Sequence, residues 1–450
     1  IILNLFLFNF SLANLANFEN LDDIIYNLPE VKKALYEAKY SYYDLKALYS
    51  QLGINAESYY QYTYNQPTVT IPIGFQSIRI SNDYNYNYGL QINWLLKTFG
   101  FIENQILAKE MIYKAKKINY EQTVSESYLK FYKALYEVYK SYINYSFTVQ
   151  LRDFTDELLS STKKLYDSGI IAKVDYLRVL STYNDYQAQL DSSYRYYKIS
   201  LRNLYSFLYP EKTIDDNFIQ SNCLDKIRLD EILLTYGKYL EDYSGETIEI
   251  DKDLERNSSN ARVLQILYCN LVSLEYQKKS VLSQNNPRLA LFSQYNRQRA
   301  SGFSRDYNFN VGLSLTWKIF DSGLSNRQAL SVEQQKEVLN QQYIRTLSDL
   351  QNQKENIKNK FYVDLNLYRS LLSNLEYKKE AFRLMKLKYQ NGMATYLDYL
   401  DSQNNLLKTL FDIKSYKNEI FLDYVNFMYL NDHDMSFRNV FGKIIGKRGR

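Results

Sequence analysis

The chain has 450 residues and a formal net charge of +5, too mild a balance to suggest a nucleic-acid partner. One His and two Cys leave no His/Cys metal constellation and no His-based triad. With no nucleophile–base pair or Gly-rich phosphate loop either, the sequence indicates neither an enzyme nor a cofactor. Glycine (14) and proline (5) are scarce beside 47 tyrosines, which favours long uninterrupted elements.

Residues 1–16 read as an apolar stretch ending in small residues, the remnant of a secretory signal peptide. No later run is long and apolar enough for a transmembrane helix, so a membrane form of this chain has to be a β-barrel. Leu21 to Leu52 is a helix candidate, with Pro29 in its first turn and Leu35, Ala38, Tyr42, Leu45 and Tyr49 at helical spacing. Residues 56–64 alternate and predict a strand. Pro67, Pro72 and Gly74 then mark a loop or an irregular strand extension.

Residues 84–94 form a cleaner strand, Tyr84-Asn85-Tyr86-Asn87-Tyr88-Gly89-Leu90-Gln91-Ile92-Asn93-Trp94, with one apolar and one polar face. Its length suits a tilted membrane-crossing strand of about 9–11 residues, and Trp94 suits a membrane–water interface. From Asn104 to Leu208 the only Gly or Pro is Gly169, with apolar residues three and four apart, so a helical hairpin turning at Gly169 is expected. Residues 210–257 read as a mixed, charged connector with a short helix near Leu229 to Leu240.

The plan then repeats over residues 258–432: a helix from Ala261 to Ser283, strands at 288–298 and 307–317, and a second hairpin turning at Gly392. Tyr307 to Trp317 copies the alternation of Tyr84 to Trp94 at an offset of 223, which also pairs Gly169 with Gly392. Residues 17–209 are thus a first repeat and residues 433–450 a basic tail. Cys223 and Cys269 lie in different segments with no motif and read as unpaired thiols.

Four membrane-length strands cannot close, and an open sheet edge in lipid leaves backbone groups unsatisfied. The chain is therefore expected to share a barrel with copies of itself. Two copies would give eight strands with a filled interior, and three would give twelve with room for a lumen. Asn85, Asn87, Gln91, Asn93, Asn308, Asn310, Ser314, Thr316 and Lys318 would line that lumen. None is a carboxylate, so no strong ionic filter is expected there.

The duplicated plan, with the Tyr-x-x-Gly-x-x-x-x-x-Asp-Tyr-Leu turn at Tyr166 and again at Tyr389, resembles the TolC-like outer-membrane channels of tripartite efflux pumps and type I secretion systems. The resemblance covers roughly Leu21 to Leu430. It implies an α+β membrane protein: a homotrimer whose transmembrane β-barrel, four strands per subunit, sits in outer-membrane lipid and continues into a coiled-coil helical barrel in the periplasm. It also implies a periplasmic adaptor and an inner-membrane transporter as partners, and export of small molecules or polypeptides as the function. Asp398 and Asp401 match the aspartates that ring the closed periplasmic entrance, and Tyr389 and Asp175 match positions whose hydrogen bonds hold it shut. Ala394 stands where the family example carries an Arg, so one latch is missing. The alternative is a periplasmic coiled-coil adaptor or structural protein without a pore.

Overall fold

The two halves are copies in structure as well as in sequence. The computed structural model describes residues 19–64, 66–67, 70–79, 84–214, 236, 260–299, 307–436 and 439–440. In the first half, helices α1 (Glu19–Asn27) and α2 (Pro29–Ser50) lead into β1 (Ile54–Tyr64), β2 (Thr70–Ile73), β3 (Gln76–Arg79) and β4 (Tyr84–Lys97). Helices α3 (Phe101–Asp167) and α4 (Lys173–Leu208) follow. In the second half, α5 (Arg262–Leu282) leads into β5 (Arg288–Arg299), β6 (Tyr307–Thr316), α6 (Leu324–Gln390) and α7 (Tyr396–Leu430). α3 and α6 are each 67 residues, about 100 Å at the helical rise, and both of their boundaries differ by 223. The expected connector helix near Leu229 to Leu240 lies outside the described residues except for Tyr236, as do residues 1–16 and Cys223.

β1 starts two residues earlier than the sequence reading and β4 runs three residues further, and three other departures each have a local reason. The helix expected from Leu21 to Leu52 divides at Leu28, because Pro29 has no N–H to carry a helix through and instead takes the first position of α2. The stretch around Pro72 and Gly74 forms a hairpin of its own, β2–β3, whose two-residue turn uses Gly74 at φ 62°. β6 stops at Thr316, opposite Arg288. The residue before Arg288 is Pro287, which cannot donate to the ladder, so Trp317 stands just beyond the strand.

The chain forms two compact units. One comprises residues 34–120 and 263–346 and holds the sheet. Its four long strands run antiparallel in the order β1-β4-β5-β6, with β2–β3 as a separate pair. α2 packs on the start of α3 through Leu45, Leu48, Ile102 and Ile106, and Lys109–Asp44 (2.5 Å) and Lys116–Glu37 (2.8 Å) flank that seam. α5 pairs with the start of α6 through Lys278–Glu333 (2.7 Å) and Lys336–Glu275 (2.8 Å).

Each long helix of this unit begins with the same device. Thr98 Oγ1 accepts from the Ile102 N–H at 2.9 Å, and Asp321 Oδ2 accepts from the Ser325 N–H at 3.0 Å. The next two residues are left-handed in both copies: Phe99 and Gly100 at φ 49° and 108°, Ser322 and Gly323 at φ 56° and 78°. The strand-to-helix corner is thus set by a capping oxygen followed by a glycine that carries a positive φ without strain.

The other unit comprises residues 1–33, 121–262 and 347–450 and is helical where it is described. Its core explains the tyrosine content. Tyr132 is fully buried and donates to Met435 O at 3.0 Å, and Tyr236 is buried and donates to Asn418 Oδ1 at 2.5 Å. Tyr128 donates to Asp22 and Tyr136 to Glu419. Each ring supplies apolar area while its hydroxyl finds an acceptor, which lets a helix interface be both packed and wet at its rim. Met435 and Val440 are buried here, so the tail begins as part of the packed unit.

Lys360 on α6 sits among three carboxylates: Asp423 at 2.7 Å, Asp364 at 3.3 Å and Glu419 at 3.5 Å. Burial pushes the Asp423 carboxyl up to about 7, with Lys360 pulling it down and Asp364 adding to the rise.

Candidate functional site

In the sheet, burial is inverted relative to a soluble protein. Along β4 the tyrosines are the exposed residues, with Tyr84 at 51% and Tyr88 at 41%, while the intervening Asn85, Asn87 and Gln91 are less exposed. On β6 the apolar residues Phe309, Val311, Leu313 and Leu315 are all exposed. A water-facing sheet buries this face against a core. Here the same face is exposed along its length, a contiguous apolar strip of the kind that marks an interaction or membrane surface. No described helix is long and apolar enough to cross a membrane, so the sheet is the chain's one described apolar surface of membrane-spanning height.

Strand register fixes the opposite face. Asn308 pairs with Asn296, Asn310 with Gln294, Asn87 with Gln61 and Gln91 with Glu57. Asn85, Asn93, Ser314 and Thr316 join them by alternation, while Lys318 lies beyond the end of β6. Glu57 corrects one expectation: the polar face does carry a carboxylate. Tyr60, Tyr62 and Tyr64 fix the parity of β1 and put Glu57 with the amides, a signal readable from the alternation alone.

Two glycines on the polar face hold aromatic rings against the backbone. Gly89 pairs with Tyr59, and a Cβ there would lie 2.3 Å from Tyr295 O and 2.8 Å from the Tyr59 hydroxyl. Gly312 pairs with Phe292, whose ring would lie 3.0 Å from a Cβ. The two glycines are 223 apart and do the same work in each half.

In the helical unit, the hairpin turns are built identically. Gly169 (φ 74°) and Gly392 (φ 68°) follow α3 and α6, and the next N–H reaches back to close the helix: Ile170 to Leu165 O at 2.9 Å, Met393 to Lys388 O at 2.8 Å. Tyr166 stacks on Tyr176 with centroids 5.4 Å apart, and Tyr389 on Tyr399 at 5.0 Å. Tyr389 also hydrogen-bonds Ser161, and burial raises its hydroxyl pKa. It belongs to a cluster with Leu158, Val179 and Leu400, so the second hairpin packs on the first at this level.

Asp398 is exposed and closes a capping box. It accepts from the Thr395 N–H at 3.1 Å and from Thr395 Oγ1 at 2.7 Å, and Thr395 Oγ1 accepts from the Asp398 N–H at 3.2 Å. Those bonds hold the Asp398 carboxyl below its usual range. Its repeat counterpart Asp175 is half-buried and lacks this partner, because the equivalent cap is Ala172. Asp401 is exposed one turn further along α7, beside Asn404, which donates to the Tyr186 hydroxyl at 3.0 Å. Ala394 is partly exposed between Met393 and Thr395. The structure thus places Asp398 and Asp401 together on the first turns of α7, and Tyr389 against the adjoining hairpin. Asp175 stands at the start of α4.

The chain thus joins a duplicated, open-edged sheet with an outward apolar face to duplicated helical hairpins. Solved structures share this fold. The outer-membrane channel OprN aligns over 94% of this chain and 91% of its own, at 14% identity and a TM-score of 0.73. The outer membrane protein VceC of Vibrio cholerae aligns over 93% and 97%, at 13% identity and 0.73. The CmeC outer membrane channel of Campylobacter jejuni aligns over 95% and 89%, at 13% identity and 0.74. Residues 258–420, within the second repeat, match the outer membrane efflux protein family model. No curated protein matches the chain in sequence.

Proposed function

We propose that the chain is an outer-membrane channel subunit, the exit duct of a tripartite export system, with its helical part in the periplasm. The observation that carries this is the sheet: its apolar face is exposed and β1 and β6 are its terminal strands. β1 and β6 run in opposite directions, so β6 of one copy pairs antiparallel with β1 of the next. Three copies then close twelve strands around the polar face, with Glu57 as a lumen carboxylate. The long helices of the copies wall the periplasmic passage, and energy comes from an inner-membrane transporter reached through an adaptor. Asp398 and Asp401, tripled, form the entrance rings, while Tyr389 and Asp175 steady the hairpins behind them.

The exposed apolar strips argue against the alternative, a poreless adaptor with a soluble strand domain. The test is assembly and conduction. Protein extracted in detergent is expected to have the mass of a trimer and to give discrete conductance steps in a planar bilayer. A monodisperse monomer that needs no detergent would refute the channel.

A further inference from the structure

We propose that the loop-side end of the exposed sheet face binds the phosphate-bearing headgroup of an outer-leaflet lipid, with Arg297 as the cation that holds it; this rests on the membrane reading above. Strand register lays that face out in rows. One row, at the end joined to the helices, is Ile54, Trp94, Leu291 and Leu313. Six residues further along β5, towards the hairpin connections, the row is Tyr60, Tyr88, Arg297 and Tyr307. The face therefore changes from aliphatic to phenolic along its length, and Arg297 is exposed with a tyrosine paired to it on each neighbouring strand. Lys97, paired with Leu289 at the far end of the sheet, is the other charged residue among the described side chains of that face, and no carboxylate stands beside Arg297 there.

Depth argues for the same assignment. Tyr307 opens β6, and Trp317, ten residues on, stands just past its end. At ~3.3 Å per residue and a tilt of roughly 40°, that is about 25 Å along the membrane normal, the height of the apolar band of an outer-membrane barrel. With Trp317 at the inner interface, the Tyr307–Arg297 row comes at the outer one. An arginine on a lipid-facing strand is costly at mid-membrane and nearly free at the interface, where a phosphate supplies its counter-charge. The guanidinium fork suits a phosphate bidentately, and the hydroxyls of Tyr88 and Tyr307 add donors on either side. The three tyrosine rings form the apolar-to-polar transition that such rings occupy at a membrane surface.

The experiment is native mass spectrometry of the detergent-purified protein titrated with diphosphorylated lipid A, its dephosphorylated form and inorganic phosphate. Wild-type protein is expected to retain diphosphorylated lipid A about tenfold more tightly than Arg297→Gln, with Arg297→Lys between them. Removal of the phosphates should cost the wild type the same factor, and millimolar inorganic phosphate should not displace the lipid. Equal retention by wild type and Arg297→Gln overturns the proposal, and so does indifference to the phosphates. Displacement by free phosphate would make this a soluble-anion site and refute the lipid assignment. Bilayer conductance of both proteins separates the two readings. If both conduct, the channel stands whatever the lipid result; if neither inserts, both readings fall.

Discussion

Gly89 and Gly312 show how little room the polar face leaves. Their backbones are extended, so conformational freedom is not the reason for glycine; the space above each is filled by its neighbours. At Gly89 the nearest obstacle is the Tyr295 carbonyl, which cannot turn away, and at Gly312 it is the Phe292 ring, which can. Gly89→Ala is therefore expected to cost about 1–3 kcal/mol and Gly312→Ala distinctly less. Thermal unfolding in detergent, followed by circular dichroism at 218 nm, compares them directly, and equal losses would contradict the backbone argument. The alternation announced both glycines as strand residues. It could not show which atoms lie over them, because that depends on register across β1, β4, β5 and β6.

Among the elements, the long helices were the most legible, since a stretch with apolar residues three and four apart and no Pro can hardly be anything else. Their partners were less so. Periodicity marks a buried face without saying which helix covers it, and Lys360, Asp364, Glu419 and Asp423 meet only once α6 and α7 are side by side. That meeting has a pH consequence. Asp423 is near 4 in an unfolded chain and about 7 in the fold, so between those values the folded state holds the extra proton. Stability then falls as pH rises through that window, by at most ~1.4 kcal/mol per pH unit and by less where Lys360 compensates. Asp364 on α6, Glu419 on α7 and Tyr136 and Lys140 on α3 also face this group. Asp423→Asn should flatten the melting temperature between pH 5 and 7.5. A variant that keeps the wild-type slope would assign it to another group.

For the assembled molecule, alternation and the constant offset made the strands and hairpins readable. The proposed entrance was harder to read, because Asp398 has a part within the chain as well as the one proposed between copies. Within one chain it is a capping carboxylate on Thr395. Between copies, in the proposed channel, it and Asp401 would form a ring that draws cations. Asp398→Asn combined with Asp401→Asn is expected to raise the concentration of hexaamminecobalt(III) needed for half-block in a planar bilayer by tenfold or more. Asp401→Asn alone, which spares the cap, should give part of that rise. An unchanged half-block in the double variant would move the constriction elsewhere. Sequence reading singled out both carboxylates by resemblance, but the cap is a matter of φ/ψ at Thr395.

The two 67-residue helices constrain how such a chain can change in length. Tyr389 of one hairpin lies against Leu158 and Ser161 of the other, so the turns of both arms are tied at matching heights. The strand connections are not matched in this way: β1 and β4 are joined by a segment twelve residues longer than the one between β5 and β6. A codon gained in one arm would shift every knob beyond it out of its hole, and only the same gain in the other arm would restore the fit. Drift in size is thus paired in the coils and unmatched between the strand connections.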